Sequence, residues 1–191
     1  VDYKIGSRGD NNRKFTGVSS NFNFKHTFDS TGREITADLD YAFYNNKSRT
    51  ELTTEIFDAN DQKDGNDVIL RGNIPSNIDI YSAKVDYSHP FKNGIKLEAG
   101  LKTSFVKTDN QVVYLRSSGS AWETDDRSNH FVYEENINAA YAIFSKSIKK
   151  WELTAGLRVE NTNATGHQIK SDSSFERKYT NLFPNAGVSY N

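Results

Sequence analysis

The 191-residue chain contains no cysteine, no methionine and only 3 prolines. Without cysteine there is no disulfide frame, no thiolate metal site and no thiol nucleophile. No apolar run approaches the roughly 20 residues a membrane helix needs, and the mean hydropathy of -0.75 agrees. A net charge of -1 leaves no electrostatic footprint for nucleic acid. The chain begins at Val1 without a leader of basic, apolar and small-residue regions, so it reads as an excised or processed piece. Apolar residues make up 35%, low for a packed globule, although the length suits one domain or part of a larger one.

Aromatic residues are plentiful, with 12 Phe and 10 Tyr, and the dominant pattern has period two. Ile35, Ala37, Leu39, Tyr41 and Phe43 alternate with Thr36, Asp38, Asp40, Ala42 and Tyr44. The same holds for Leu97, Ala99, Leu101 and Phe105 against Lys96, Glu98 and Lys102, and for Trp151, Leu153, Leu157 and Val159 against Glu152, Arg158 and Glu160. Side chains on a strand point to opposite faces, so each stretch has one apolar and one polar face. No stretch shows a capped helical period, and no repeat or linker divides the chain. The fold class is all-β.

Connections alternate in length. Short turns fall at 30–33, 89–94 and 145–150; long polar stretches run over 45–77 (partly strand-like), 109–130 and 161–178. Short turns at one end and long loops at the other mark up-and-down transmembrane barrels. Seven strands are predicted, at 14–29, 34–58, 67–88, 95–108, 131–144, 151–161 and 179–190, the second and third forming one long hairpin with its tip near Asp61 to Asn66. A slip of apolar parity between Phe43 and Leu52 predicts a bulge near Asn46. Charge complementarity predicts Tyr87 opposite Ile95, which sets Asp86 against Lys96 and Lys84 against Glu98; at the first hairpin, Phe28 opposite Ile35 sets Lys25 against Asp38.

Two readings compete for the apolar face: the inside of a soluble sandwich or lipocalin-like barrel, or the lipid side of an outer-membrane barrel. Aromatics favour the second. Phe28, Tyr87 and Trp151 lie beside short turns, while Tyr41, Phe43, Phe105, Phe131 and Tyr133 lie towards the other ends, with Leu, Ile, Val and Ala between them. Two girdles around an aliphatic band have this form. The ten steps from Phe131 to Tyr141 would span about 25 Å of membrane normal. The predicted lipid-facing set is therefore Phe28, Leu39, Tyr41, Phe43, Tyr87, Leu97, Leu101, Phe105, Phe131, Tyr133, Tyr141, Trp151, Leu153 and Leu157. Asp38, Asp40, Lys84, Asp86, Lys96, Glu98, Lys102, Glu134, Arg158 and Glu160 would line a hydrated or plugged lumen.

Several blocks resemble a known family. Lys84-Val85-Asp86-Tyr87-Ser88-His89-Pro90-Phe91 is followed by Leu97-Glu98-Ala99-Gly100-Leu101-Lys102. Then come Phe131-Val132-Tyr133-Glu134-Glu135-Asn136-Ile137, the run from Trp151 to Thr162, and Tyr179-Thr180-Asn181-Leu182-Phe183-Pro184. Each block is degenerate, but the ordered set resembles the outer membrane β-barrel family abundant in Bacteroidetes and related to TonB-dependent receptors, from about Phe15 onward. The resemblance implies location in the cell outer membrane and a barrel, by analogy of about 22 strands around an N-terminal plug. It also implies TonB-powered uptake of a large or scarce nutrient. The partners it implies are outer-membrane lipid, a plug domain and TonB, the last two through parts of a parent chain missing here. Seven strands is an odd number for a bacterial barrel, so the piece reads as a middle slice of wall with two open edges.

Other chemistry finds little support. His26, His89, His130 and His167 have no ligand spacing. The acidic run Asp58 to Asp67 misses the spacing of a calcium loop and contains Lys63. Arg8-Gly9-Asp10, and the sequons at Asn46 and Asn163, carry little information. Asp38 and Asp40 share a face, but a lumen ladder explains them better than acid–base catalysis. No triad, nucleophile elbow or phosphate loop is present. No enzyme activity and no cofactor are expected. Tyr114, Arg116 and Trp122 in one long loop, and Phe175 and Arg177 in another, are the candidate ligand contacts, since aromatics beside Arg can stack on sugars, peptides or planar chelators. A barrel used structurally or for adhesion, or a soluble β-sandwich binding module, are the alternative readings.

Overall fold

The computed structural model describes residues 3–119 and 121–190. Its strands are β1 (Lys4–Thr27), β2 (Glu34–Phe57), β3 (Val68–Pro90), β4 (Ile95–Ser117), β5 (Trp122–Thr124), β6 (Asn129–Ile148), β7 (Trp151–Gln168) and β8 (Ser173–Tyr190). They form one sheet in the order β1-β2-β3-β4-β6-β7-β8, with β5 paired to β4. Every pairing is antiparallel. The sheet is an up-and-down meander, as alternation without crossover connections dictates. The seven long strands match the expected number and order; the eighth, β5, is a three-residue cap on the outer end of β4.

β1, β4, β7 and β8 run well past the predicted limits, whereas β2 and β3 keep close to them. The stretch 161–178 is not a loop: β7 continues to Gln168, residues 169–172 turn, and β8 returns from Ser173. Much of 109–130 is likewise the outer part of β4 and the start of β6. Both faces of these extensions meet water, so hydrophobic alternation disappears. The backbone donors and acceptors still need partners, and the ladder supplies them. The same reasoning removes the predicted bulge. Pairing is continuous through Asn46 on both flanks, with Phe15 and with Ser76. The apolar residues of β2 change parity because their surroundings change, not because the strand slips.

Register departs from the charge-based expectation. Tyr87 faces Ala99, Tyr81 faces Phe105, Asp86 faces Gly100 and Lys84 faces Lys102; His26 faces Ile35 and Lys25 faces Thr36. The turns decide. β3 runs on to Pro90, Phe91 N donates to Ile95 O at 2.7 Å, and Gly94 takes φ 70°, a conformation that only glycine adopts without penalty. A cross-strand charge pair, worth at most about 1 kcal/mol, cannot shift such a turn by four residues. Lys25 instead reaches Glu34, at 2.7 Å.

There is no interior in the ordinary sense. Among the described residues the only buried apolar side chains are Ala139 and Ala164. Leu101, Phe22, Leu182 and Val188 are each more than 60% exposed. A sandwich needs a second layer, and the described residues form one. An apolar sheet face of this extent calls for a cover other than water.

Candidate functional site

Paired residues in an antiparallel sheet point to the same side, so the register assigns each side chain to a face. One face collects Phe22 and Phe24 of β1, Ile35 to Phe43 at odd positions of β2, and Tyr81 to His89 at odd positions of β3. It continues with Leu97, Leu101 and Phe105 of β4, Ala140 to Ile148 at even positions of β6, Trp151 to Val159 at odd positions of β7, and Leu182, Val188 and Tyr190 of β8. Aromatics rim this band. Tyr41, Tyr81 and Phe105 form a row across three strands, with centroid separations of 5.0 and 6.4 Å. At the short-turn end Phe28 meets Tyr87 at 6.3 Å, His89 meets Phe91 at 4.3 Å and Trp151 meets Tyr190 at 4.9 Å.

A pairing row beginning at Ile35 passes through Tyr87, Ala99 and Ala142 to Leu157, by then well inside β7. That stagger corresponds to a strand tilt of roughly 40°. Eight steps from Ile35 to Phe43, or from Trp151 to Val159, then rise about 20 Å along the sheet normal to the rims, and the rings extend the band towards the roughly 25 Å of an outer-membrane barrel.

The opposite face is ionic. Asp38, Asp40, Lys84, Asp86, Lys96, Glu98, Arg158 and Glu160 all lie on it. Lys84 pairs with Asp86, Lys96 with Glu98 at 2.7 Å and Arg158 with Glu160 at 2.7 Å. Asn21 Nδ2 donates to Asp40 at 2.5 Å. These pairs are open to water and add little stability individually; their consequence is a hydrophilic surface.

Four residues stand on the other side from expectation. Phe131, Tyr133 and Tyr141 share the face of Asp86 and Arg158, while Glu134 shares the parity of the apolar face, beyond its rim, and binds Lys107 at 2.7 Å. β6 carries apolar residues at both parities, so its aromatics alone mislead. Space decides: Tyr141 lies opposite Gly100, its ring over the glycine, and its hydroxyl donates to Asp86 at 2.5 Å. The same arrangement recurs on this face. Tyr44 stands over Gly17, Tyr114 over Gly72 and Phe175 over Gly166, each aromatic directly opposite its glycine. Sequence inspection missed these seats because a glycine and its aromatic are matched only once the register is known.

The five candidate ligand contacts lie on strands, not free loops. Tyr114 and Arg116 belong to β4, Trp122 to β5, and Phe175 and Arg177 to β8. Phe175 and Arg177 do come together: the guanidinium stacks over the ring at 5.6 Å, and Phe175 meets Phe131 at 6.4 Å and Tyr133 at 6.5 Å. Tyr114 shares their face on a separate strand. Trp122, opposite Ser117, takes the other face and stacks on Arg71 at 4.3 Å, which in turn binds Glu51 at 2.6 Å. The five therefore do not form one site. Two open hollows, of about 550 and 680 Å³, lie at the long-hairpin end, one around Arg49, Glu51 and Arg71 and one around Glu134, Gly166 and Phe175.

The acidic hairpin tip is occupied by its own chain. Asp58 accepts the backbone amides of Asn60 and Gln62 at 2.9 and 2.8 Å, Lys63 binds Asp67 at 2.6 Å and Glu55 at 3.3 Å, and Asp61 binds Lys4 at 2.5 Å. Among the described residues no group of three or more His, Asp or Glu converges. His130 pairs with Asp109 at 2.7 Å and His167 with Asp172 at 3.2 Å. Arg8-Gly9-Asp10 is part of β1, paired with Thr53, Leu52 and Glu51.

Near β5, Arg127 donates to both oxygens of Asp125, at 2.6 and 2.8 Å. That hydrogen bonding, with the Arg127 backbone amide, holds the Asp125 carboxyl well below the usual carboxylate range. A depressed value means the link is intact above the unfolded value of about 3.9 and is lost only as pH falls through the lower folded value. Hydrogen exchange at Tyr114 and Ser128, whose amides close this turn, should stay slow below about pH 4. In Arg127→Ala the protection should fall within the ordinary carboxylate range.

A one-layer antiparallel meander, with a rimmed apolar band on one face and ions on the other, is the wall of an outer-membrane β-barrel. The family model for the outer membrane protein beta-barrel family matches residues 26–191, and the chain belongs to that family. Among solved structures it is similar to the ferric citrate transporter FecA in its unliganded form, with 15% identity and a TM-score of 0.50 over 83% of this chain and 26% of FecA. It is also similar to the siderophore receptor PiuA from Acinetobacter baumannii (12% identity, TM-score 0.44, 83% of this chain and 30% of that one). The ferric yersiniabactin uptake receptor FyuA from Yersinia pestis matches at 10% identity and a TM-score of 0.38, over 97% and 34% of the two chains. At these identities the likeness concerns the fold. The chain thus spans about a quarter to a third of these receptors. No curated protein sequence matches it.

Proposed function

We propose that the chain is part of the wall of a TonB-dependent-type receptor that imports a large or scarce nutrient across the outer membrane. The observation that carries this reading is the pairing of two unlike faces on one sheet: an aliphatic band between aromatic rims, backed by the ion ladder of Lys84, Asp86, Arg158 and Glu160. Hydrocarbon covers the first face and a plug or water the second. The rest of the barrel and the plug would come from other parts of the parent chain, which would also contact TonB. The Phe131, Tyr133, Phe175 and Arg177 cluster, on the lumen side near the outer end, offers planar and cationic contacts to an incoming solute. Iron chelates are the first class to try, because the similar receptors carry such cargo in their names. On this reading the part of the wall is to enclose and to orient a solute.

Orientation is tested in the full-length protein in bilayers of brominated lipid, leaving Trp151 or Trp122 as the sole tryptophan. Strong quenching of Trp151 and little of Trp122 is the expected result; equal weak quenching would remove the lipid-facing assignment. Import is tested by deleting the gene and feeding iron-starved cells single chelates. Unchanged uptake across the chelates tried would leave a barrel serving structure or adhesion.

A further inference from the structure

Beyond the upper aromatic row, the parity of the apolar face continues along β1 and β2 into a cationic group. Lys14 and Lys47 stand directly opposite each other, and Arg49 follows two residues on, opposite Asn12. All three are exposed. Within this chain, where β1 has β2 on one side only, the cross-strand and diagonal neighbours of the two lysines on that face are Asn12, Thr16, Asn45, Arg49, Asn73, Pro75 and Asn77. None is acidic, and only Arg49 has a carboxylate, Asp10, as a diagonal neighbour. Of the other acids on the same face, Glu51 binds Arg71, Glu134 binds Lys107 and Asp109 binds His130, while Asp79 stands opposite Phe43 and Lys107, four residues from Pro75, the partner of Lys47. Like charges directly opposite in a sheet destabilise it. A lysine on an edge strand can be a guard against aggregation, but Lys47 is on β2, paired on both sides.

Height supplies the occupant. Lys47 lies four residues beyond Phe43, which at the strand rise and tilt is about 10 Å above the rim of the hydrocarbon band. Phosphate groups of the outer leaflet stand at that level, and long cationic side chains reach towards them. The surrounding amides, including Asn45 bonded to Asn77, supply donors and acceptors for sugar hydroxyls. We propose that Lys14, Lys47 and Arg49 bind the phosphate of a phosphorylated saccharide lipid in the outer leaflet, with its acyl chains lying on the apolar band below. The site rests on the proposed orientation of that band, and the two ideas can fail separately.

The test uses the full-length protein in phospholipid nanodiscs, titrated with purified lipid A, with dephosphorylated lipid A and with inorganic phosphate. Lys14→Gln/Lys47→Gln should lower lipid A affinity about tenfold or more, while Lys14→Arg/Lys47→Arg should keep it and so show that the fold is intact. Dephosphorylated lipid A should bind wild type as weakly as lipid A binds the Gln variant. Equal affinity of wild type and the Gln variant overturns the proposal, as does tight binding of inorganic phosphate alone. Quenching of Trp151, as the sole tryptophan in discs of brominated phospholipid, separates the cases: quenched Trp151 with unchanged lipid A affinity sinks only this site, and unquenched Trp151 sinks the orientation with it.

Discussion

Leu101→Arg in the full-length protein is expected to destabilise the folded barrel by roughly 2–4 kcal/mol, the penalty for a cation at the bilayer midplane on a lipid-facing strand. Leu101 is midway between Leu97 and Phe105, opposite Val85 and Ala140, and 65% exposed. In a water-soluble protein such an exposed leucine would accept arginine with a change within about 0.5 kcal/mol. The environment alone therefore decides the outcome. Urea-dependent folding into lipid vesicles measures it, and Lys102→Gln, one residue along and on the ionic face, is the control expected to change little. A neutral Leu101→Arg would contradict the membrane orientation outright.

Gly100→Val should lose roughly 1–3 kcal/mol, from overpacking of a filled seat. A side chain there would run into the ring of Tyr141 and the carboxylate of Asp86, which are bonded to each other across the vacant position. Gly72→Val should behave alike, since a Cβ at Gly72 would come within 2.7 Å of the Tyr114 ring. Denaturant midpoints of the two variants measure the loss. Tyr141→Phe in addition tests the hydroxyl, whose loss leaves Asp86 with Lys84 alone.

Most of the architecture was legible because lipid imposes a pattern that ordinary cores do not. Leu39, Leu97 and Leu157 announce their face by strict alternation, and the turns beside Phe28, Tyr87 and Trp151 announce one end. Beyond the rim that pressure ceases. The outer parts of β4, β7 and β8 read as loops because no period survives there: Val112, Val113, Tyr114 and Leu115 put apolar residues at both parities of β4, and polar residues occupy both faces of β7 and β8, although the backbone ladder continues. Register was illegible for a different reason: turn closure at Gly94 outweighs the charge pairs from which it was inferred. On β6, where Tyr133 and Glu134 sit side by side among apolar residues of both parities, composition could not say which side was which. The candidate contacts were affected likewise: Phe175 and Arg177 lie together on β8 rather than in a loop, whereas Trp122 takes the opposite face from Tyr114.

The overhang of the strands has a further consequence. From Phe43 to the end of β2 at Phe57 the paired ribbon rises about 35 Å at the same tilt, and its neighbours rise with it. A cross-linked parapet of this kind cannot swing like a free loop; it transmits force along its length. Movement at the mouth is thereby confined to the few crest residues that lie outside the ladder, such as 58–67 and 169–172. In the proposed receptor, an entering solute would meet a mouth whose wall is held by backbone pairing, so selectivity would reside in its lining, and sequence change at the crest would alter what outside agents meet while the paired wall beneath keeps its shape.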